Sequence, residues 1–160
     1  MAQEALAVRS QMIMLEALRL VLPNTAIAEV IAYSELTLPD NQPEWFLGYV
    51  SWRGYQIPVV SFERMVDQPG SKPDKRSRII ILNSISADTH RPFYGMLSTG
   101  IPSLMTIDEN NIEDAPKIGE TDSLILRQVV VEKHAAVIPD QYELEARLKK
   151  QKLVVSSEES

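Results

Sequence analysis

The stretch LGYVSWRGYQIPVVSF, Leu47 to Phe62, decides how the chain is read. Two apolar runs rich in aromatic and β-branched residues flank one Arg53-Gly54 pair. Such residues suit a pleated, half-buried surface, so both runs read as strands. A two-residue connection between antiparallel strands needs positive φ, which Gly54 adopts without steric cost. Val50-Ser51-Trp52 and Tyr55-Gln56-Ile57 are therefore expected to form a hairpin with Arg53-Gly54 at its tip. Pro58 has no N–H for a ladder, which places the returning strand at an edge or a bulge there. Arg53 has two readings. It is a soluble turn residue, or it is a guanidinium presented for recognition by strands that leave it little entropy to lose.

Working outward, Leu18 to Leu22 reads as a short strand stopped by Pro23-Asn24. Ala26 to Ala32 is nearly all apolar, and its β-branched Ile27, Val30 and Ile31 favour a strand over a helix. Leu36 to Pro43 is a loop with two prolines. Downstream, RIIIL (Arg78 to Leu82) is apolar on both faces, as in a central strand. Phe93 to Thr99 and Leu104 to Ile107 follow as strands, then an acidic turn, DENNIEDAP. Leu124 to Val131 and His134 to Ile138 read as a hairpin around Glu132-Lys133. Tyr142 to Lys150 is the one convincing helix. Leu144 and Leu148 share a face, acids come early and bases late, and Pro139-Asp140 supplies an N-cap. About eight or nine short, evenly spaced strands and one terminal helix indicate an all-β sandwich or barrel.

The expected layout is a single domain over 13–150, with lobes at 13–66 and 78–138. A polar linker spans 67–77, and the helix spans 140–150. Residues 1–12 and 152–160 show no period and read as flexible tails.

Composition narrows the function classes. The chain has 160 residues, 44% hydrophobic and 24% charged, which is ordinary for a globular protein. Its net charge of −6 disfavours a nucleic-acid partner, which needs a basic face. There are no cysteines, so disulfides, thiolate zinc sites and cysteine nucleophiles are excluded. The N-terminus lacks the pattern of a secretory signal, and no uncharged run approaches the roughly 18 residues of a membrane span. A cytoplasmic location without membrane insertion is expected.

Chemistry-bearing motifs are scarce. His90 and His134 stand far apart, neither at a metal-ligand spacing. Phosphate-binding glycine loops and a Gly-x-Ser-x-Gly elbow are absent. The acids Asp108, Glu109, Glu113 and Asp114 lack the alternation and central glycine of a calcium loop, and read as a solvated turn. No cofactor, metal or catalytic group is expected.

The run WFLGYVSWRGYQIPVVSFERM, Trp45 to Met65, resembles the signature segment of CheW-like domains. Gly48, Arg53, Gly54, Pro58 and Val59-Val60 fall at its characteristic positions. Upstream, LPNTAIAEVIAYSELT resembles the family's second strand, with Glu29 at a frequent acid. Downstream, RIIIL and FYGMLSTGIPSLMTIDENNIEDAP resemble the second-lobe pattern, with Gly95 at the family's glycine. The resemblance spans roughly Leu18 to Ile138. The chain departs from the family in a short strand before Pro23, in Ser98-Thr99 where an Asp is frequent, in Leu126-Arg127-Gln128, and in the ending IPDQYELEARL. These departures suggest a divergent member, similar to those of chemotaxis-like systems controlling type IV pilus (twitching) motility.

The resemblance implies two small SH3-like β-barrels packed side by side around a shared core. It also implies a non-catalytic adaptor coupling the cytoplasmic tip of a methyl-accepting chemoreceptor to a CheA-type histidine kinase. On this reading Glu29, Arg53, Ile27 and Val50 line a groove for a receptor helix, and Gly48 and Gly54 of the hairpin are counted among the partner-binding residues. Arg53 is expected to pair with Glu29, and a second partner surface is expected near Gly95. Two rivals stand beside it: an SH3-like binding module of unrelated signalling purpose, and an enzyme built on a β-barrel.

Overall fold

The computed structural model describes residues 7–70, 72–86, 92–116 and 122–151, with the backbone of 156–157. The chain forms β1 (Val8–Met14), β2 (Arg19–Pro23), a 3-10 turn (Asn24–Ala26), β3 (Ile27–Ala32), β4 (Phe46–Trp52) and β5 (Tyr55–Val60). Then come α1 (Phe62–Met65), β6 (Arg78–Asn83), β7 (Phe93–Ser98), β8 (Ser103–Ile107) and β9 (Ile112–Asp114). Last are β10 (Ile125–Val131), β11 (His134–Pro139), α2 (Gln141–Lys150) and β12 (Ser156–Ser157).

These strands make two six-stranded sheets. A terminal sheet, in the order β8-β1-β2-β11-β10-β9, joins the two ends of the chain. A central sheet, in the order β12-β5-β7-β6-β3 with β4 on β5, takes the middle. The expected β fold with a short C-terminal helix is what the chain adopts.

Burial explains the pattern. Strand side chains alternate between faces, so each sheet needs a core on either side. Met12, Val21, Val129, Val131 and Ala136 fill a core on one face of the terminal sheet. Val50, Trp52, Ile57, Val59, Ile79 and Ile81 fill a core on one face of the central sheet. Between the sheets lies a third, shared core, including Ile13, Leu20, Leu22, Phe46, Ile80, Leu82, Tyr94 and Met96. β6 is apolar on both faces because Ile79 and Ile81 enter one core while Ile80 and Leu82 enter the other.

The helix α2 closes the shared core with Leu144 and Leu148. Asp140 caps it, its Oδ1 accepting from the Glu143 N–H at 3.1 Å. On the same helix, Glu145 is buried and accepts from the N–H groups of Ile85 and Ser86. It also accepts from the Tyr94 hydroxyl. Burial, and then the Glu145 charge, push the Tyr94 phenol strongly up, so it stays a donor.

Three expectations are corrected. Residues 8–12, read as tail, form most of β1, which pairs with β2 and β8. Their polar Arg9, Ser10 and Gln11 hide the strand, because its apolar burial begins only at Met12 and Ile13, which face different cores. The lobes do not follow chain order: β3 to β7 of the central sheet are inserted between β2 and β8, and β12 joins that sheet from the C-terminal end. The 67–77 segment therefore connects α1 to β6 within the central unit, not one lobe to the next. The acidic turn also carries a strand, β9, paired with β10.

Glu63 on α1 ties the two units together. It is buried, and its Oε2 accepts from the Ala17 N–H at 3.0 Å in the β1–β2 turn. Burial raises its pKa and outweighs the lowering effect of hydrogen bonds from the Ala17 and Glu16 backbone. The folded state thus holds the proton more tightly than the unfolded chain. This contribution to stability is complete below 4.5, the unfolded value, and is lost as pH rises through the raised folded value. Glu63→Gln keeps an acceptor for Ala17 and removes the titration. In thermal melts across pH, the variant should gain stability relative to the native chain as pH rises from 4 toward neutrality. A constant difference would exclude Glu63 as the linked group.

Candidate partner-binding hairpin

β4 and β5 pair antiparallel from Trp52↔Tyr55 to Phe46↔Val60, with Arg53-Gly54 as the two-residue turn. Both turn residues have positive φ, 48° and 81°, the mirror-image geometry that matches strand twist. Tyr49 opposes Pro58, and the Tyr49 N–H and C=O pair with Thr37 on the outer side of β4, so this is a non-hydrogen-bonded pair of the β4–β5 ladder. The absent proline donor therefore faces away from β4. There β5 changes partner, from β12 at Tyr55 and Gln56 to β7 at Val59 and Val60.

The tip is held by electrostatics and aromatic contact. Arg53 Nη2 donates to Glu29 Oε1 at 2.9 Å, and the two side chains are 68% and 38% exposed. The Arg53 guanidinium carbon lies 4.8 Å from the Trp52 ring centroid. An exposed ion pair contributes about 0–1 kcal/mol and an exposed cation–π contact about 0.5–1 kcal/mol. Their main effect is to orient the guanidinium. Below it, Trp52 and Tyr55 pack edge-on against Phe93 at 4.9 and 5.3 Å. The Trp52 Nε1 is buried with no hydrogen-bond partner among the described residues.

The structure brings together only some of the residues singled out in the sequence. Glu29 on β3 and Arg53-Gly54 meet at the tip. Ile27 is half-buried and packs on the shared core. Val50 is 5% exposed and belongs to the core beneath the hairpin, so it lines no surface groove. Gly95 is also interior, paired with Val59 and Ile81 on β7. A Cβ there would meet Ile79 Cγ2 at 3.2 Å and Val59 Cγ2 at 3.3 Å. Its role is packing, not contact with a partner. Gly48 sits at the register shift of β4 with φ 132°, pressed against Leu36 and Thr37. The aromatic support of Trp52, Tyr55 and Phe93 escaped the sequence reading. Trp52 and Tyr55 flank the turn visibly, but only the β5–β7 pairing brings Phe93 to them.

Elsewhere, the acidic turn is occupied with its own folding. Asp108 Oδ1 accepts from the Asn110 N–H, and Asp114 pairs with Arg127 at 2.7 Å. His134 is exposed at the start of β11, and His90 lies outside the described residues. No group of three potential metal ligands occurs among the described residues. No helix among them is long and apolar enough to cross a membrane. A cavity of about 510 Å³ beside the β1–β2 turn, lined by residues such as Leu15, Arg19 and Val137, shares no residue with the hairpin.

Two β units around a common core, with a charged pair braced on a stiff hairpin, define a twin-sheet β domain. The CheW-like domain model matches residues 10–146, and the chain belongs to that family. It is 24% identical over 93 residues to the chemotaxis protein CheW of Rhizobium meliloti, covering 58% of this chain and 57% of that one. A probable chemotaxis protein CheW of Rhizobium etli is 22% identical over the same length. The chain thus spans 57% of the curated relatives it matches. The scaffolding protein TtCheW of Thermoanaerobacter tengcongensis shares the fold, with a TM-score of 0.70 and 21% identity over 84% of this chain and 85% of that one.

The tight site around Gly48 yields a direct check. An alanine Cβ would lie 2.8 Å from Leu36 Cβ and 2.9 Å from the Thr37 carbonyl oxygen, at a φ that disfavours any side chain. Gly48→Ala should cost about 2 kcal/mol or more, read as a lower denaturant midpoint at constant m-value. A shift below about 0.5 kcal/mol would show that the close approach is not constraining.

Proposed function

We propose that the protein is a non-catalytic adaptor that couples the cytoplasmic tip of a methyl-accepting chemoreceptor to a CheA-type histidine kinase. The observation that carries this reading is Arg53, exposed yet fixed between Glu29 and the Trp52 ring on a hairpin rooted in a core. A prearranged guanidinium loses little entropy on binding and suits the centre of an interface. Family membership supports the kind of partner. The action would be mechanical: the docked domain holds kinase and receptor in a geometry through which a receptor signal biases the kinase. The location would be the cytoplasm, where both partners present these parts.

The departures from the family pattern favour a system of the type IV pilus class. Ser98 and Thr99, where relatives often carry an Asp, use their hydroxyls on backbone oxygens of Gly100 and Met14. Leu126 is exposed, and Arg127 faces Asp114 on the terminal sheet. Exposed Leu126 and the exposed Arg127–Asp114 pair on the terminal sheet support partners distinct from those of a flagellar adaptor.

Pull-downs with kinase and receptor fragments from the same cell test the reading. Arg53→Asn removes the cation while keeping a residue that tolerates positive φ, so the fold should hold. Binding should weaken by about tenfold or more. The double swap Glu29→Arg with Arg53→Glu restores an ion pair in reverse. It should leave binding impaired if the partner reads the guanidinium. Undiminished binding by Arg53→Asn would remove the hairpin from the interface.

A further inference from the structure

An extended segment that adds to a strand edge gains main-chain hydrogen bonds without needing a pocket. β5 offers such an edge at Gln56. Its ladder with β4 alternates, so Gln56, like Pro58, turns its backbone away from β4. Pro58 has no N–H to offer, and β7 joins only at Val59 and Val60. The outward N–H and C=O of Gln56 are left to β12, where Ser156 opposes Gln56 and Ser157 opposes Tyr55. The pairing is antiparallel, so β12 runs toward the Arg53-Gly54 turn.

The segment suits this seat. Residues 151–155 join the end of α2 to β12. So short a tether gives the strand a local concentration on the order of millimolar, enough to populate a pairing of two residues. Leu153, Val154 and Val155 include strand formers, and the sequence goes on to Glu158 and Glu159. The hairpin tip offers the opposite charge. Arg53 is 68% exposed and donates to Glu29 from Nη2, so its guanidinium keeps donors for a second acid.

We infer that residues 156–160 are a tethered strand that occupies the β5 edge, offers Glu158 and Glu159 to Arg53, and competes with the partner for the hairpin. The competition rests on the adaptor reading; the seat of the segment does not. Two paired residues make a light clasp. A partner displaces it, and its apparent affinity falls in proportion to the fraction of chains left open.

The chain has no cysteine, so Ser160→Cys gives a single site for a nitroxide label on the full chain. The label should broaden the amide signals of Gly54 and Tyr55 and spare those of β9, in the other sheet. Ser156→Pro with Ser157→Pro removes both strand donors. In that variant the broadening should vanish and the Gln56 amide should exchange faster. The same variant, and separately Glu158→Lys with Glu159→Lys, should bind the kinase or receptor fragment about threefold or more tighter. Hairpin signals that stay sharp beside the label would overturn the inference. So would broadening that fades on dilution, which places another copy's strand on the edge, or proline and lysine variants that bind no tighter than the native chain. A native chain that binds neither fragment overturns the adaptor reading and the competition with it, while the label, which needs no partner, still decides the seat.

Discussion

The constraint on which the structure depends is the double burial of β6. Ile80 and Leu82 close the core shared by the two sheets, while Ile79 and Ile81 fill the core of the central sheet alone. Burying one such side chain contributes roughly 1.5–3 kcal/mol, so four adjacent residues act on two cores at once. The terminal sheet answers with Ile13, Leu20 and Leu22 on the shared side, and Met12 and Val21 on its own. Neither sheet can be packed without the other, because each has one face that only its neighbour covers.

The hairpin inherits its stiffness from this arrangement. Val50, Trp52, Ile57 and Val59 are buried, so the strands cannot shift register without exposing them. The Arg53-Gly54 turn takes the twist that these strands impose. The ion pair to Glu29 then joins the tip to β3, at the far side of the same sheet. A weak surface interaction thus acquires a fixed geometry, because everything beneath it is packed.

Much of the fold was legible in local pattern. The Arg53-Gly54 turn, the two-faced β6, the β10–β11 hairpin and the capped helix each follow from residue type and spacing within about ten positions. β1 was not legible, since Arg9, Ser10 and Gln11 break its apolar alternation and its partners lie elsewhere in the chain. The pairing of Glu29 with Arg53 and the turn at Gly54 were legible, where family pattern and turn chemistry coincide. It misled at Val50 and Gly95. A period of two says that faces alternate, but not which face meets solvent.

Taken alone, the sequence determined the strand-rich class, the turn at Gly54, the family likeness and the lack of any cysteine chemistry, because all of these rest on neighbours in the chain. Tertiary structure decided that β3 to β7, with β12, form one sheet while β1 and β2 join β8 to β11 in the other. It also decided that Gly95 and Val50 are interior and that Phe93 supports Trp52. Such facts depend on pairings between distant residues, including β2 with β11 and β5 with β7. Those pairings are chosen by how whole faces bury against one another, and no local stretch carries that information.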